Sequence, residues 1–475
     1  MAVACGVGPE LQELTSAATS AATQAATAAG RSRRAGCKPK PMGPKVTQLR
    51  GAADAICGRT VQNAGVAGSF RGVMSVPSAM VRAMLMLHTS DWHLGRSLHR
   101  ADLREAQAAF LDHLVATVRA ERVDAVLVAG DIYDRAVPPV DAVELCEDAL
   151  LRLHATGAAI VLISGNHDSA RRLGFGSRLL DEAGVHLRTR ASALAEPVML
   201  RDQNGPVAVY AVPYLEPDAV RGELPEAPGG HAGILGHAVR RIRADADARG
   251  VPRRVVMAHG WVTGGAASDS ERDITVGGVG QVPADLFDGF SYVALGHLHG
   301  QQTIAAHLRY SGSPLPYSFS EAAHHKGSWL VELDGPGVAR AERVPAPGYR
   351  KLSVLRGHLA DLLGSAAYAG YVGDFLSVTL TDPSRPEGAM DALRARFPHI
   401  LVLAFEPEGA VPDGRGYRAR IAGRDDESIA AEFVRHVRNA PATAGERRLL
   451  AGAFEAARAE ETEEAERMEV SEEVA

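Results

Sequence analysis

Short apolar runs alternate with amphipathic stretches along this chain, and five of the runs end directly at a polar cluster. These runs are rich in Val, Ile and Leu, as buried parallel strands are. They cover residues 84–88, 123–129, 159–164, 255–257 and 292–295. Helical spacing of apolar residues predicts helices at 103–119, 141–154, 177–183 and 234–249, with Asp141 as the N-cap of the second. The alternation predicts an α/β fold with layered sheets.

The remaining pattern divides the chain further. A strand is predicted at 207–212, and closing strands at 304–311 and 328–333. A Pro-rich linker at 344–348 precedes a smaller unit with strands at 349–355, 375–380 and 400–405 and helices near 358–366 and 389–397. Two more helices, 428–438 and 444–457, lead into a Glu-rich tail. We therefore predict an extension at 1–83, a first domain at 84–343, a second at 344–424, and helices with an acidic tail at 425–475.

Composition separates the two ends of the chain from its body. Of 475 residues, 46% are hydrophobic and 23% charged, as in ordinary globular proteins. Residues 1–83 carry 10 Lys and Arg against 3 Asp and Glu, whereas residues 455–475 carry 2 Arg against 9 Glu. The first 83 residues lack sustained periodicity, which predicts a disordered tail. A DNA-touching basic arm and a translation start at Met84 or Met86 are the other interpretations.

Cysteine usage and hydropathy bear on the compartment. Cys5, Cys37 and Cys57 lie in the extension and Cys146 stands alone, so the sequence contains neither a disulfide framework nor a CxxC pair. No run approaches the roughly 18 apolar residues of a membrane span, and no secretory signal is evident. We therefore expect a cytoplasmic protein that does not associate with membranes.

The polar clusters supply candidate metal ligands. Ligands of α/β folds gather beyond the carboxyl ends of strands, so the five clusters are expected to meet at one site. The seven candidate ligands are Asp91, His93, Asp131, Asn166, His259, His297 and His299. Oxygen and imidazole nitrogen without thiolate suit Mn, Fe or Zn. Seven ligands are too many for one ion but suit two ions about 3.5–4 Å apart, and we expect the Asp131 carboxylate to bridge them.

Three neighbouring residues receive other roles. Asn166 adds a ligand oxygen without a negative charge that would repel a phosphate. His167 follows it on a tight loop and is predicted to act as a general acid or to bind the phosphate, so we assign it the catalytic role. Asp168 is expected either to hold the His167 imidazole or to close the turn. Asp134 is expected to orient a neighbour or to cap the turn.

The ordered series Asp-x-His, Gly-Asp-x-x-Asp, Gly-Asn-His-Asp, His and Gly-His-x-His resembles the calcineurin-like metallophosphoesterase family. That resemblance implies a four-layer αββα sandwich with a two-metal centre. One ion would take Asp91, His93, Asp131 and His299. The other would take Asp131, Asn166, His259 and His297.

Four segments narrow the resemblance to the SbcD family of bacterial nuclease subunits. They are residues 88–95, 165–169, 268–272 and 310–319, and the similarity covers roughly 84–460. It implies Mn²⁺ as the metal, an α+β capping domain after the sandwich, and terminal helices that dock on the coiled-coil ATPase SbcC. The implied activity is an ATP-dependent 3′→5′ double-strand exonuclease and a hairpin and single-strand endonuclease in DNA repair, recombination and replication. Some archaeal relatives have His where this chain has Asp134, which questions a catalytic role at that position only.

The chain has no Gly-x4-Gly-Lys-[Ser/Thr] loop, so any ATP dependence is expected to come from a partner. Ile429, Phe433 and Val437 share one helix face and are the predicted docking surface. Whether two copies pair stays open. A stand-alone phosphodiesterase or phosphatase is the first alternative, but it would need neither the segment after 344 nor the terminal helices. A non-catalytic scaffold is the second, and the complete ligand set argues against it.

Overall fold

The computed structural model describes residues 83–472 except 273, 275–279, 336, 409–422 and 439. The predicted disordered extension, 1–83, lies outside the described residues apart from residue 83, as do the last three residues of the acidic tail. Ten helices are described: α1 Arg104–Glu121, α2 Val140–His154, α3 Ala170–Leu173, α4 Ser177–Glu182, α5 Pro217–Val220, α6 Gly230–Arg249, α7 Leu359–Gly364, α8 Ala389–Arg396, α9 Asp426–Arg438 and α10 Ala444–Glu472.

Fifteen strands are described in the same part of the chain. They are β1 Met84–Thr89, β2 Ala125–Ala129, β3 Ala159–Ile163, β4 Val185–Arg188, β5 Val198–Asp202, β6 Gly205–Ala211, β7 Arg253–His259, β8 Tyr292–Gly296, β9 Gln302–Ala305, β10 Leu308–Tyr310, β11 Gly327–Asp334, β12 Gly337–Pro345, β13 Leu352–Gly357, β14 Phe375–Leu380 and β15 Ile400–Phe405. They form two six-stranded sheets, in the orders β12-β11-β1-β2-β3-β4 and β5-β6-β7-β8-β10-β9, and a three-stranded sheet, β13-β14-β15.

Alternating side chains on the central strands face two different layers. Leu127 of β2 packs in one buried cluster with Val209 and Met257 of the second sheet. Its neighbour Val126 points the other way, into a cluster with Phe110 of α1. Each such side chain, when fully buried, contributes about 1.5–3 kcal/mol. On the far side of the second sheet, residues of α6 form the outer core. The predicted αββα sandwich is therefore confirmed.

Several local predictions differ from the structure. Residues 304–311 were predicted as one strand but form the hairpin β9–β10, because the backbone turns at 306–307 and the His307 carbonyl accepts a hydrogen bond from Val293 at 2.7 Å. Asp141 does not cap α2, which follows Pro139 and has no side-chain cap. Asp141 instead lies in the first turn, where its charge favours the helix dipole. The edge strands β4, β5 and β12 were not predicted.

A second core lies beyond the sandwich. β12 runs to Pro345, two residues past the proposed boundary at 343. The three-stranded sheet that follows is parallel, and its first strand begins at Leu352 where residue 349 was predicted. Its side chains pack with Leu362 of α7 and Leu393 of α8 in a separate buried cluster. Helices α9 and α10 contact each other. Among the described residues, no helix combines the length and apolar character that crossing a membrane requires.

Candidate metal centre

Loops after β1, β2, β3, β7 and β8 meet at one edge of the two sheets. The first two loops are joined by backbone hydrogen bonds from Asp91 to the Gly130 carbonyl and from His93 to the Asp131 carbonyl, both 3.0 Å. The loop after β8 joins them because the backbone N–H of His297 donates to the Asp91 carboxylate at 3.0 Å. The strand ends of both sheets thus contribute to one buried site.

Four of the candidate ligands have backbone angles in the left-handed region. Their φ values are 53° at Asp91, 46° at His93, 51° at Asp131 and 105° at His297. Residues other than Gly rarely adopt such φ values, and each residue that does costs on the order of 1–3 kcal/mol. The surrounding sheets hold these residues in place, and the strain is concentrated where the side chains converge.

Glycines make the close approach of the loops possible. A Cβ atom on Gly165 would lie 2.1 Å from Asp131 Oδ1, and one on Gly130 would lie 2.4 Å from His259 Nδ1. Gly296 is equally constrained, since its Cβ would lie 1.9 Å from the Ala129 carbonyl oxygen. A larger residue at any of the three positions would displace a candidate ligand or the strand before it.

One half of the site contains Asp91, His93 and His299, which are all buried. One ligand atom from each lies within 4.8 Å of the others. The Nε2 atoms of His93 and His299 are 3.1 Å apart, and His93 Nε2 is 3.6 Å from Asp131 Oδ2. These are the four residues predicted to hold the first ion.

The other half contains Asn166, His259 and His297. Asn166 Oδ1 lies 2.8 Å from His259 Nε2 and 3.1 Å from His297 Nδ1. Asp131 Oδ2 is 3.5 Å from His259 Nε2, so the Asp131 carboxylate lies between the two halves. The structure therefore brings all seven predicted ligands together in one cluster.

The arrangement of hydrogen-bond acceptors fits a bound cation. His259 Nδ1 is 2.9 Å from the Ala129 carbonyl, which can only accept, so Nδ1 carries the proton. Nε2 lies 2.8 Å from the Asn166 amide oxygen, so without a second ring proton two acceptors face each other there. Oxygen and nitrogen lone pairs that converge in this way are satisfied by a metal ion.

Protonation equilibria agree with this fit. Burial lowers the pKa of His297 to about 3 and that of His93 well below its usual value, so both imidazoles are neutral, as metal ligands must be. Burial alone would lower the pKa of His259, but the Asp131 carboxylate raises it to about 9. Burial also raises the pKa of Asp91 to about 6. The Asp131 carboxylate therefore favours a positive charge beside it, which protonated His259 supplies in the metal-free protein.

His167 lies beside this cluster. Its backbone N–H donates to Asp131 Oδ1 at 2.8 Å, and its Nδ1 lies 2.8 Å from the Asp134 carbonyl, which can only accept. Nδ1 of His167 therefore carries a proton. One ring nitrogen is within 4.8 Å of ligand atoms of His93 and Asp131. The structure thus places His167 next to the site, and its catalytic rather than ligating role stays a prediction.

The carboxylates of Asp168 and Asp134 contact different groups. The Asp168 carboxylate accepts backbone N–H groups of Gly165, Tyr133 and Ile132 at 2.9, 3.0 and 3.1 Å. It therefore closes the turn and does not hold the His167 imidazole. The Asp134 carboxylate lies 3.6 Å from both His93 Nδ1 and Arg96 Nε, beyond hydrogen-bond distance of the imidazole, so its orienting or capping role stays a prediction.

Sequence reasoning missed the residues behind His299. Its Nδ1 is 2.6 Å from Ser270 Oγ, and its backbone N–H donates to Glu271 Oε1 at 2.7 Å. Glu321 and Lys326 complete this group. Ser270 and Glu271 belong to segment 268–272, and Glu321 follows segment 310–319, so the resemblance marked the region without giving its role.

A cavity of about 700 Å³ adjoins the Asn166 side of the site. Arg171, Arg190 and Tyr214 are among the residues that line it. Arg272 approaches from another loop, with Nη1 3.4 Å from the Asn166 carbonyl oxygen. Three arginines therefore border this side of the cluster, together with Glu216 and Glu223 on the cavity wall.

Comparison with known proteins agrees with the site. Residues 84–301 match the family model described as calcineurin-like phosphoesterase. Three solved structures show similarity: a protein from Thermus thermophilus, a dimetal phosphatase from Danio rerio, and an anchor protein of the inner membrane complex of Plasmodium. Their identities are 12%, 15% and 10%; the matches cover 55%, 56% and 70% of this chain and 99% of each of those chains, with TM-scores of 0.32, 0.32 and 0.30. Because these structural similarities are low, the interpretation of residues 84–301 as a phosphoesterase domain rests on the family match and on the geometry of the site.

Proposed function

We propose that this chain, whose residues 84–301 form a calcineurin-like phosphoesterase domain, is an SbcD-like DNA nuclease subunit with a two-metal centre. The observation that supports metal-dependent phosphoester hydrolysis most strongly is the convergence of seven oxygen and nitrogen ligands, six of them buried, in one cluster that includes Asp131. Mn²⁺ is the proposed metal. Asp91, His93 and His299 would hold one ion, Asn166, His259 and His297 the other, and Asp131 both.

When bound, such ions polarise the scissile phosphate and lower the pKa of an attacking water. The chain's own residues have three further tasks. The turn closed by Asp168 holds Asn166 and His167 at fixed positions. The Asp134 carbonyl accepts the His167 Nδ1–H, so Nε2 is the nitrogen that can contact the phosphate and, when the ring carries a second proton there, give that proton to the departing oxygen. Burial of the ligands excludes bulk water from their side of the site.

DNA as the substrate is supported by the border of the site. Arg96, Arg171, Arg190 and Arg272 lie around the cluster or line the adjoining cavity. Although the chain carries a net charge of −6, this local set of cations suits a phosphate backbone. The second core after Pro345 is a further argument, since hydrolysis of a small phosphoester does not require it.

A partner ATPase of the SbcC type is supported by the terminal helices. On α9, Phe433 is 54% exposed and Val437 is 40% exposed, whereas Ile429 is half-buried. Large apolar side chains at helical spacing that remain exposed are typical of a helix that docks into a groove. We place this assembly in the cytoplasm and in DNA repair, recombination and replication. Cys146, which is buried and free, is consistent with a reducing compartment.

Self-association is a separate proposal, and its support is an apolar patch beside α2 and α4. Phe175 is 87% exposed, and Val137 and Leu151, which line the same groove, are exposed as well. Monomers rarely show such contiguous apolar surface, and a symmetric pair could cover it with the same patch of a second copy. Light scattering should report a dimer for the wild type and for Met199→Glu, an exposed control position, but a monomer for Phe175→Glu. A monomeric wild type would contradict the proposal.

The experiment that tests the nuclease proposal is cleavage of hairpin-ended duplex DNA in Mn²⁺, with and without the partner ATPase and ATP. We expect endonucleolytic opening of the hairpin, and degradation of duplex ends only with the ATPase and ATP. A small chromogenic phosphodiester, such as bis(p-nitrophenyl) phosphate, is the comparison substrate. Turnover of that ester with no cleavage of any DNA would favour a stand-alone phosphodiesterase instead.

A further inference from the structure

A buried carboxylate lies behind the metal centre, on the side of His299 that faces away from the other ligands. Glu321 ends a short 3₁₀ helix, Phe319–Glu321, and its side chain is fully buried. One carboxylate oxygen accepts a hydrogen bond from the Ser270 hydroxyl and lies 3.4 Å from His299 Nδ1. The other oxygen binds the Lys326 ammonium. Glu321 is thus connected to a ligand without itself reaching the cluster.

The direction of these hydrogen bonds fixes the protonation of His299. Because the Glu321 carboxylate can only accept, the Ser270 hydroxyl donates to it and is left to accept from His299 Nδ1 at 2.6 Å. Nδ1 of His299 therefore carries the proton, and Nε2 presents its lone pair to the cluster, 3.1 Å from His93 Nε2. That is the orientation a metal ligand requires.

Lys326 completes the group and neutralises the buried carboxylate. Its ammonium donates to the His299 carbonyl at 2.8 Å and to Ser313 Oγ at 2.9 Å, in addition to Glu321. All three ammonium hydrogens therefore have partners. The backbone of His299 is held by Lys326 and Glu271, and its side chain by the Ser270–Glu321 pair.

We propose that Glu321 is a positioning residue for the metal centre: acting through Ser270, it fixes the tautomer and ring orientation of His299 and increases the basicity of Nε2. Carboxylates that accept the second N–H of a ligating histidine have this effect, and losing one typically weakens metal binding about 10–100-fold. The inference rests on the proposed metal role of His299 and is independent of the substrate.

Calorimetric titration of Mn²⁺ into the metal-free full-length chain tests this role. Four proteins are compared: wild type, Glu321→Gln, the double variant Glu321→Gln/Lys326→Met, and the control Glu332→Gln, which alters an exposed ion pair with Arg340. The single variant leaves the Lys326 ammonium without its counter-charge, whereas the double variant removes both charges. Melting temperatures of the metal-free proteins report folding separately.

We expect the double variant to melt close to the wild type and yet to bind one of two Mn²⁺ ions about 10–100-fold more weakly. Glu321→Gln should show the same loss of affinity, and Glu332→Gln none. Wild-type affinity in the double variant would overturn the proposal, because Glu321 would then serve only to balance Lys326. If the wild-type protein bound no Mn²⁺, the proposed metal centre itself would be wrong. That result concerns the wild type alone and is distinct from any result with the variants.

Discussion

Replacing Asp131 with Asn removes the one negative charge that lies between both halves of the metal centre. Asn keeps the size of the side chain, and its amide oxygen can still accept the His167 N–H that Asp131 Oδ1 now accepts at 2.8 Å. What is lost is the attraction to protonated His259, whose Nε2 atom lies 3.5 Å from Asp131 Oδ2. The change is therefore electrostatic and leaves the packing in place.

The size of the effect follows from His259 in the metal-free protein. Asp131 raises the pKa of His259 to about 9, although burial alone would lower it below the usual 6.5. At about 1.4 kcal/mol for each tenfold change, this net rise corresponds to on the order of 3 kcal/mol in favour of protonated His259, and Asp131 is the largest of the groups that raise the pKa. Because the pKa is raised on folding, this stabilisation is complete below pH 6.5 and is lost as the pH rises through about 9. The stability difference between wild type and Asp131→Asn should shrink over the same range.

Two measurements check this prediction. Denaturant unfolding of the metal-free proteins at pH 6, 7.5 and 9 gives the stability difference, and elemental analysis after Mn²⁺ loading gives the metal content. Asp131→Asn should bind fewer than two equivalents and lose nuclease activity, while the exposed control Asp288→Asn should match the wild type in both. Two full equivalents of metal with normal turnover in Asp131→Asn would refute the assignment of a shared ligand.

Three further predictions concern other parts of the chain. His167→Ala should keep both metal equivalents while DNA cleavage falls about 10²–10⁴-fold, and loss of one equivalent would make His167 a ligand. Deleting residues 1–83 should leave activity and melting temperature unchanged, since β1 begins at Met84; a clear drop in melting temperature would show that the extension stabilises the body. Phe433→Glu should abolish pull-down of the ATPase and ATP-stimulated cleavage but keep basal Mn²⁺-dependent single-strand cleavage, with Met199→Glu as the matched control. An unchanged pull-down would place the docking surface elsewhere.

The sequence predicted the site better than it predicted the edges of the fold. Runs such as 123–129 are apolar on both faces because β2 is buried between the second sheet and the helices, and such strands are recognisable without alternation. Asp91, Asp131 and Asn166 follow these runs directly, so their convergence could be inferred from the strand ends alone. Edge strands have no such signal: β12 is mostly exposed and was not predicted.

The contacts behind the ligands could not be predicted because they depend on tertiary structure. Glu321 reaches His299 from a segment 22 residues further along the chain, and Ser270 reaches Glu321 across 51 residues. A Glu after a short helical turn has the pattern of an ordinary surface residue, and only the fold shows it to be buried. The role of Asp168 also depends on tertiary structure. Both proposed roles fitted its position in the sequence, and only its hydrogen bonds to three backbone N–H groups show that it closes the turn.

The central claim is that two metal ions share Asp131 at the meeting point of five strand ends. Crystals of the wild-type chain soaked in Mn²⁺, measured at the manganese absorption edge, test it most directly. We predict two anomalous peaks about 3.5–4 Å apart, one beside Asp91, His93 and His299 and the other beside Asn166, His259 and His297, with Asp131 contacting both. A single peak, or peaks away from Asp131, would contradict the two-metal centre.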